Sequence, residues 1–451
     1  MNTRRWLLLL LAGLAVVALV LIITTRKAPS VFADTPAETA VADPGRLAWW
    51  REARFGLFIH WGPVSLKGTE ISWSRANSNP LCPNKGPIPV EVYDNLYKSF
   101  NPTLFNADEW AAVAKNAGMR YVVLTAKHCD GFCLWPTDTI DYHIGRTPFR
   151  RDVCGELAEA VRKAGLRIGW YYSPMDWRDP DCRTGRNAAY VKRMQGQVRE
   201  LLTRYGRIDL LWFDWDGGTI PWDQDETYRL VRAAQPSIVI NNRLDCSFGG
   251  LSADRDIGPN ADYLTPEQVI GAYNDSRPWE TCMTLGTQWS WKPDDHVKSV
   301  DEVIRILAGC VGGDGNLLLD VGPMPDGRIE PRQVNVLKGV GDWLANCGES
   351  IYGTRGGPFR PGRYGASTRR DDRVFLHIFA WAGPSLGLPP IPAKVVGSRV
   401  LGGGRVSVRQ TDNGIEILVP ESDRHAADTV VVLELDRPAA QIVPVDVLEK
   451  R

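Results

Sequence analysis

Short apolar runs that end on polar or aromatic residues recur along most of this chain. Phe55, Leu57, Phe58 and Ile59 lead into His60 and Trp61, and residues 121–124 lead into Lys127 and His128. Ile208, Leu210, Leu211, Trp212 and Phe213 stop on Asp214. Runs of this length with little polar alternation predict strands buried on both faces, as in a parallel sheet. A carboxylate directly beyond such a run is costly unless it is paired or used in chemistry. Polar groups collected at the carboxyl ends of buried parallel strands are the pattern of an enzyme barrel.

Amphipathic helices alternate with these runs. Trp110, Val113, Ala114 and Ala117 share one face of a helix starting at Ala107 and stopped by Gly118; Leu157, Val161 and Ala164 do so in a helix from Asp152 to Gly165. A longer helix over 187–205 carries Val191, Met194, Val198, Leu201, Leu202 and Tyr205 at helical spacing before Gly206. Further helices are predicted over 227–234, 266–273, 299–311 and 331–345. Strands are predicted over 55–59, 121–124, 166–172, 208–214, 238–241, 279–283 and 317–321. Seven strands are one short of a complete (β/α)8 barrel, so one strand is irregular or the barrel is imperfect. Past Gly357 the pattern changes to short strands, 374–379, 414–419 and 429–435, separated by turn signals such as Asp412-Asn413-Gly414. The expectation is an α/β protein: an irregular (β/α)8-type TIM barrel followed by a C-terminal antiparallel β-sandwich, the barrel over 47–356 and the sandwich over 357–451.

At the amino terminus Arg4 and Arg5 precede an apolar run over 6–23, with Arg26 and Lys27 behind it. Residues 1–27 form a signal peptide or an N-terminal membrane anchor, and 28–46 a linker rich in Ala, Pro and Thr. With the basic pair first, the body is exported, periplasmic or extracellular, whether the segment is cleaved near Ala33 or retained as a membrane attachment. The 53 basic and 53 acidic residues balance, which argues against nucleic acid as a partner. Nine cysteines lack zinc-finger spacing, and no HxH or HExxH motif occurs, so no metal and no cofactor is expected. In an exported chain some cysteines can form disulfides, with Cys82 and Cys182 in loop-like contexts the candidates and no pairing assigned; the odd count leaves at least one outside any intrachain pair, and most are expected to be buried. The 17 tryptophans shift the balance toward a carbohydrate ligand, since indole faces suit the C–H faces of sugar rings.

Asp214 sits where barrel enzymes place a nucleophile, although a helix cap or an Arg pair would equally explain it. Hydrolysis of a glycoside would need a second carboxyl group as proton donor. Glu280 and Glu267 are the candidates. Glu280 lies in an apolar-flanked strand where ionisation is discouraged. Glu267, in Thr265-Pro266-Glu267, has the first turn of a helix as its more ordinary role, favoured there by the macrodipole. His60 and His128 follow separate strands and can converge on one mouth to donate to substrate hydroxyls. Arg243, after Asn241-Asn242, can pair with a carboxylate.

These residues lie in ordered motifs: Phe55-Gly56-Leu57-Phe58-Ile59-His60-Trp61-Gly62, Leu124-Thr125-Ala126-Lys127-His128-Cys129-Asp130-Gly131-Phe132, Tyr171-Tyr172-Ser173-Pro174-Met175-Asp176-Trp177, Leu211-Trp212-Phe213-Asp214 and Asn316-Leu317-Leu318-Leu319-Asp320-Val321-Gly322-Pro323. From about Trp49 to Gly353 the chain resembles the α-L-fucosidases of glycoside hydrolase family 29. The resemblance implies a retaining α-L-fucosidase acting on fucosylated glycans, with Asp214 as nucleophile and His60, Trp73, His128, Tyr171, Trp212 and Arg243 as sugar contacts. By the same resemblance Glu280, in a Trp-Glu motif, is the first choice for the acid/base and Glu267 the second. Two departures stand out: Cys129 replaces the second of two histidines, and Glu70-Ile71-Ser72-Trp73 replaces a direct Glu-Trp. The alternatives are a catalytically silent fucose or carbohydrate binder and a glycosidase for another α-linked sugar.

Overall fold

The computed structural model describes residues 44–76, 86–214, 221–244 and 257–447, all within one compact unit, Val41–Arg451. Residues 1–27, expected to direct export, most of the expected linker, Cys82 and Cys246 lie outside the described residues. Among the described residues no helix is long and apolar enough to cross a membrane.

The seven predicted barrel strands all form: β1 (Phe55–Ile59), β2 (Tyr121–Lys127), β3 (Arg167–Tyr172), β4 (Leu210–Phe213), β5 (Val239–Ile240), β6 (Glu280–Thr284) and β7 (Asn316–Val321). They make one parallel sheet in the order β5-β4-β3-β2-β1-β7-β6. The gap between β5 and β6 is filled by an eighth, irregular segment. Asn241 bridges Tyr263, Leu264 bridges Trp279 and Glu267 bridges Cys282, all in parallel sense. Asp262 N–H donates to Ile240 O at 2.8 Å on one side, and Cys282 N–H to Pro266 O at 3.1 Å on the other. The helix expected over 266–273 is therefore absent, because this backbone is spent on closing the barrel.

The outer helices are α1 (Pro44–Ala53), α2 (Ala107–Asn116), α3 (Val153–Lys163), α4 (Asn187–Thr203), α5 (Gln224–Ala234), α6 (Val300–Gly312) and α7 (Pro331–Cys347). Their starts are written locally. Asn106 caps α2 through Glu109 N–H, Asp152 caps α3 through Gly155 N–H, and Ser299 with Glu302 forms a capping box on α6. Gly118 and Gly165, at φ +82° and +81°, turn the chain out of α2 and α3 in the left-handed region. The apolar face of α4 buries Tyr190, Val191, Met194, Val198, Leu201 and Leu202. Helix α1 places Trp50 among the residues that fill the barrel interior, with Phe58, Tyr121, Val123, Tyr171, Trp212, Tyr263, Cys282 and Leu318. Gly56 leaves the room this interior needs: a Cβ there would lie 2.3 Å from the Tyr121 ring.

Beyond the barrel, β8 (Arg355–Gly356), β9 (Gly365–Arg370), β10 (Arg373–Ile378), β12 (Val395–Val400) and β15 (Thr429–Leu435) form a five-stranded antiparallel sheet. A three-stranded sheet of β11 (Ser385–Leu388), β13 (Ser407–Thr411) and β14 (Gly414–Leu418) packs over it. Strand β15 is apolar on both sides because both are covered. Val430 and Val432 join the barrel core, while Val431 and Leu433 join the sandwich core with Ile415 and Ile417. Arg54 and Arg355, both ion-paired with buried Asp314, tie the two parts together. The seven described cysteines are buried and unbridged; Cys182 Sγ lies 3.8 Å from Met175 Sδ.

Candidate active site

The mouth of the barrel is assembled from the residues that follow successive strands. Tyr171 in β3 stacks between His128, after β2, and Trp212 in β4, with ring centroids 5.4 and 5.6 Å apart. Arg243 continues the series, its guanidinium 4.5 Å from the centre of the Trp212 ring. At the top of the stack stands Asp214. Tyr171 OH donates to Asp214 Oδ2 at 2.6 Å, and Arg243 Nη1 donates to Oδ1 at 2.7 Å. Both oxygens are thereby oriented, and each keeps a lone pair. About a quarter of the side chain is open to solvent.

Arg243 holds a second carboxylate on its other arm. Nη2 donates to Glu267 Oε2 at 2.8 Å, and Nε donates to Thr265 Oγ1 at 2.9 Å. Thr265 in turn donates to Asn242 Oδ1 at 3.0 Å. The hydroxyl that could have capped a helix is occupied in aiming the arginine. Asp214 and Glu267, both 27% exposed, thus face one solvent-reached space across a guanidinium that is itself buried.

Glu280 is elsewhere. It is the first residue of β6, level with Asn316 at the start of β7, and has no exposed surface. Trp212 Nε1 donates to its Oε1 at 3.3 Å, Trp50 Nε1 to its Oε2 at 3.2 Å, and Tyr121 OH also donates to Oε2. Burial raises its pKa to about 7 against the pull of these hydrogen bonds. The Trp212 indole lies between this floor and Arg243. Of the two glutamates put forward as proton donors, Glu280 is thus sealed from solvent and Glu267 is part open to it.

His60 Nδ1 contacts Asp320 Oδ1 at 2.7 Å, so its chemistry toward a ligand is left to Nε2. Burial, with His128 nearby, holds His60 well below the usual imidazole range. Burial likewise takes His128 down to about 4, with Asp214 opposing the shift. Trp73 is 41% exposed and stands edge-on to Trp177. Cys129 is buried, its Sγ 3.1 Å from Ser173 Oγ. Several neighbours of these residues had no role assigned to them from the sequence. Trp289 packs against His60 and Phe58. Glu70 accepts from the backbone N–H groups of Trp289, Ser290 and Ile71, pinning that loop. Ser72 contacts His128. Asp320 had a visible signal, a carboxylate near the end of an apolar strand like Asp214; Ser72 had none. Among the described residues, no cluster of three or more His, Cys, Asp or Glu is arranged to hold a metal.

Comparison with known proteins shows the family to which this fold belongs. The α-L-fucosidase family model matches residues 24–349. Tissue α-L-fucosidase of Bos taurus is 31% identical over 336 residues, covering 68% of this chain and 69% of that protein. The α-L-fucosidase of Dictyostelium discoideum is 29% identical over 340 residues, covering 68% and 71%. Among solved structures, α-L-fucosidase isoenzyme 1 of Paenibacillus thiaminolyticus superposes with a TM-score of 0.78 at 33% identity, over 88% of this chain and all of that one. A family 29 α-L-fucosidase of Bacteroides thetaiotaomicron, a trapped covalent intermediate obtained with a Glu-to-Gln mutant, superposes at 0.77 and 27% identity, over 87% and 96%. With its parallel barrel, its strand-end carboxylate and a family match over more than two-thirds of its length, the chain belongs to the α-L-fucosidase family, glycoside hydrolase family 29.

Proposed function

We infer that this protein is a retaining α-L-fucosidase, hydrolysing terminal α-L-fucosyl linkages of glycans through a covalent glycosyl-enzyme. The observation that carries the assignment of roles is the pair of partly exposed carboxylates on the two arms of Arg243. Asp214 attacks the anomeric carbon with a lone pair left over after Tyr171 and Arg243 have oriented its oxygens. Glu267 delivers a proton to the departing oxygen, then takes one from the water that releases the sugar. His60 and His128 bond sugar hydroxyls, and Trp73 flanks the entrance. The aromatic surface of Phe58, Trp289 and Tyr171 suits a sugar carrying a methyl where a hexose carries a hydroxymethyl. The covalent intermediate trapped in the Bacteroides relative supports the two-step course.

Two measurements test this reading. Release of nitrophenol from 4-nitrophenyl α-L-fucoside is expected; a protein that retards fucosylated ligands without releasing chromophore would be a binder only. A 2-fluoro-fucosyl fluoride should leave an adduct on the peptide holding Asp214, and an adduct on another carboxylate would remove Asp214 from its role. Export through residues 1–27 rests on Arg4-Arg5 and the apolar run behind them. Fractionation with N-terminal sequencing of the mature chain would decide between cleavage and a retained anchor.

A further inference from the structure

His128 is held from behind by a closed ring of hydrogen bonds in which every member is buried. Ser72 N–H donates to Tyr93 OH at 2.8 Å, Tyr93 OH donates to Asp130 Oδ2 at 2.7 Å, and Asp130 N–H donates to Ser72 Oγ at 2.8 Å. The remaining contact of Ser72 Oγ is His128 Nδ1, at 2.5 Å. Asp130 Oδ1 is taken by Phe132 N–H at 3.1 Å. Ser72 is fully buried and sits at φ +58°, a left-handed conformation that a side chain enters only when its surroundings hold it there.

Counting protons around the ring determines the state of the imidazole. Ser72 Oγ already accepts from Asp130 N–H, so its own hydrogen must find an acceptor or be buried without one. Tyr93 OH cannot serve, because it receives Ser72 N–H and gives its proton to Asp130. His128 Nδ1 can serve only if it carries no hydrogen. The ring proton then resides on Nε2, the nitrogen left for the pocket in which His128 stacks on Tyr171, the donor to Asp214.

We propose that Ser72 is a positioning residue that fixes His128 as the neutral Nε2–H tautomer, so that the imidazole meets the sugar as a hydrogen-bond donor. The donor role rests on the fucosidase reading; the tautomer does not. His60 is oriented differently, by a carboxylate, so the two histidines of one pocket are governed by partners of opposite hydrogen-bonding habit. The Glu70-Ile71-Ser72-Trp73 stretch thereby gains a role beyond presenting Trp73.

The test uses the full-length protein labelled with 15N-histidine. Long-range proton–nitrogen correlation should show His128, assigned by its loss in His128→Gln, with a protonated Nε2 and a bare Nδ1. Ser72→Gly suits φ +58° without strain and removes the hydroxyl, leaving Asp130 N–H without its acceptor; it should shift His128 toward the Nδ1–H form and lower kcat on a fucoside by roughly tenfold to a hundredfold, with a modest fall in melting temperature. Ser72→Ala should lose as much activity. A protonated Nδ1 in the parent protein overturns the proposal, as does a Ser72→Gly variant with parental tautomer and kcat. Should the parent turn over no fucoside while its Nε2–H signal stands, the fucosidase reading fails and the tautomer assignment holds.

Discussion

Glu267 and Glu280 stand 13 positions apart and are separated in space by the Trp212 indole, yet their surroundings are opposite in kind. Glu267 is at the mouth, part open to water, with a guanidinium for a partner. Glu280 is in the floor, sealed, with indole and phenol groups for partners. A carboxyl group that must exchange protons with a substrate and then with water needs access to both. One that organises a barrel interior needs donors on each oxygen and no water. The raised pKa of Glu280, which out of context marks a catalytic acid, here records burial alone. The indole that separates the two also links them, since Trp212 donates to Glu280 below and supports Arg243 above.

This contrast can be broken by substitution. Asp214→Gly should cost the most, lowering kcat by about ten thousandfold or more, with partial recovery in azide; ordinary turnover in that variant would remove the nucleophile from the mouth. Glu267→Gln should lower kcat by about a hundredfold to a thousandfold on substrates with poor leaving groups and hardly at all on activated aryl fucosides, with melting unchanged. Glu280→Ala should do the reverse, costing about 3–5 kcal/mol of stability by stranding the Trp50, Tyr121 and Trp212 donors while the folded fraction keeps its leaving-group dependence. If instead Glu280→Ala shows the steep leaving-group dependence, the roles of the two glutamates are exchanged.

The floor also makes a prediction in pH. Native Glu280 keeps its proton to about 7, whereas the unfolded chain gives it up near the ordinary 4.5. Between those values the native state binds the extra proton, so stability falls as pH rises through this window and is flat on either side of it. The drop should be about 3 kcal/mol in denaturant midpoints and absent in Glu280→Gln, which carries no titrating group; equal slopes in the two proteins would contradict it. Gly56→Ala should have the smallest effect, about 1–3 kcal/mol, because the new methyl displaces the Tyr121 ring and with it the hydroxyl on Glu280.

Much of the mouth is legible in the sequence alone. His60, His128 and Asp214 each follow an apolar run, and a run buried on both faces tells where a parallel strand ends. Glu267 is legible only as a second choice, since Thr265-Pro266-Glu267 is a good start for a helix. The helix lost because β5 and β6 left an open edge that only this backbone could close. The end of β6 on which Glu280 falls is not legible, because an apolar-flanked glutamate looks the same at the foot of a strand as at its head. The register with Asn316 decides it.

Taken by itself, the amino-acid order determined the seven regular strands, most of the helices between them, the change to a sandwich and the place of Asp214 just beyond a strand end. Each of these depends on periodicity or on neighbours within a few residues, which a chain carries in one dimension. The tertiary structure alone decided which glutamate meets solvent, what Arg243 bridges and what stands behind His128. Those outcomes depend on groups brought together from distant segments, and on where the closed barrel admits water and where it excludes it.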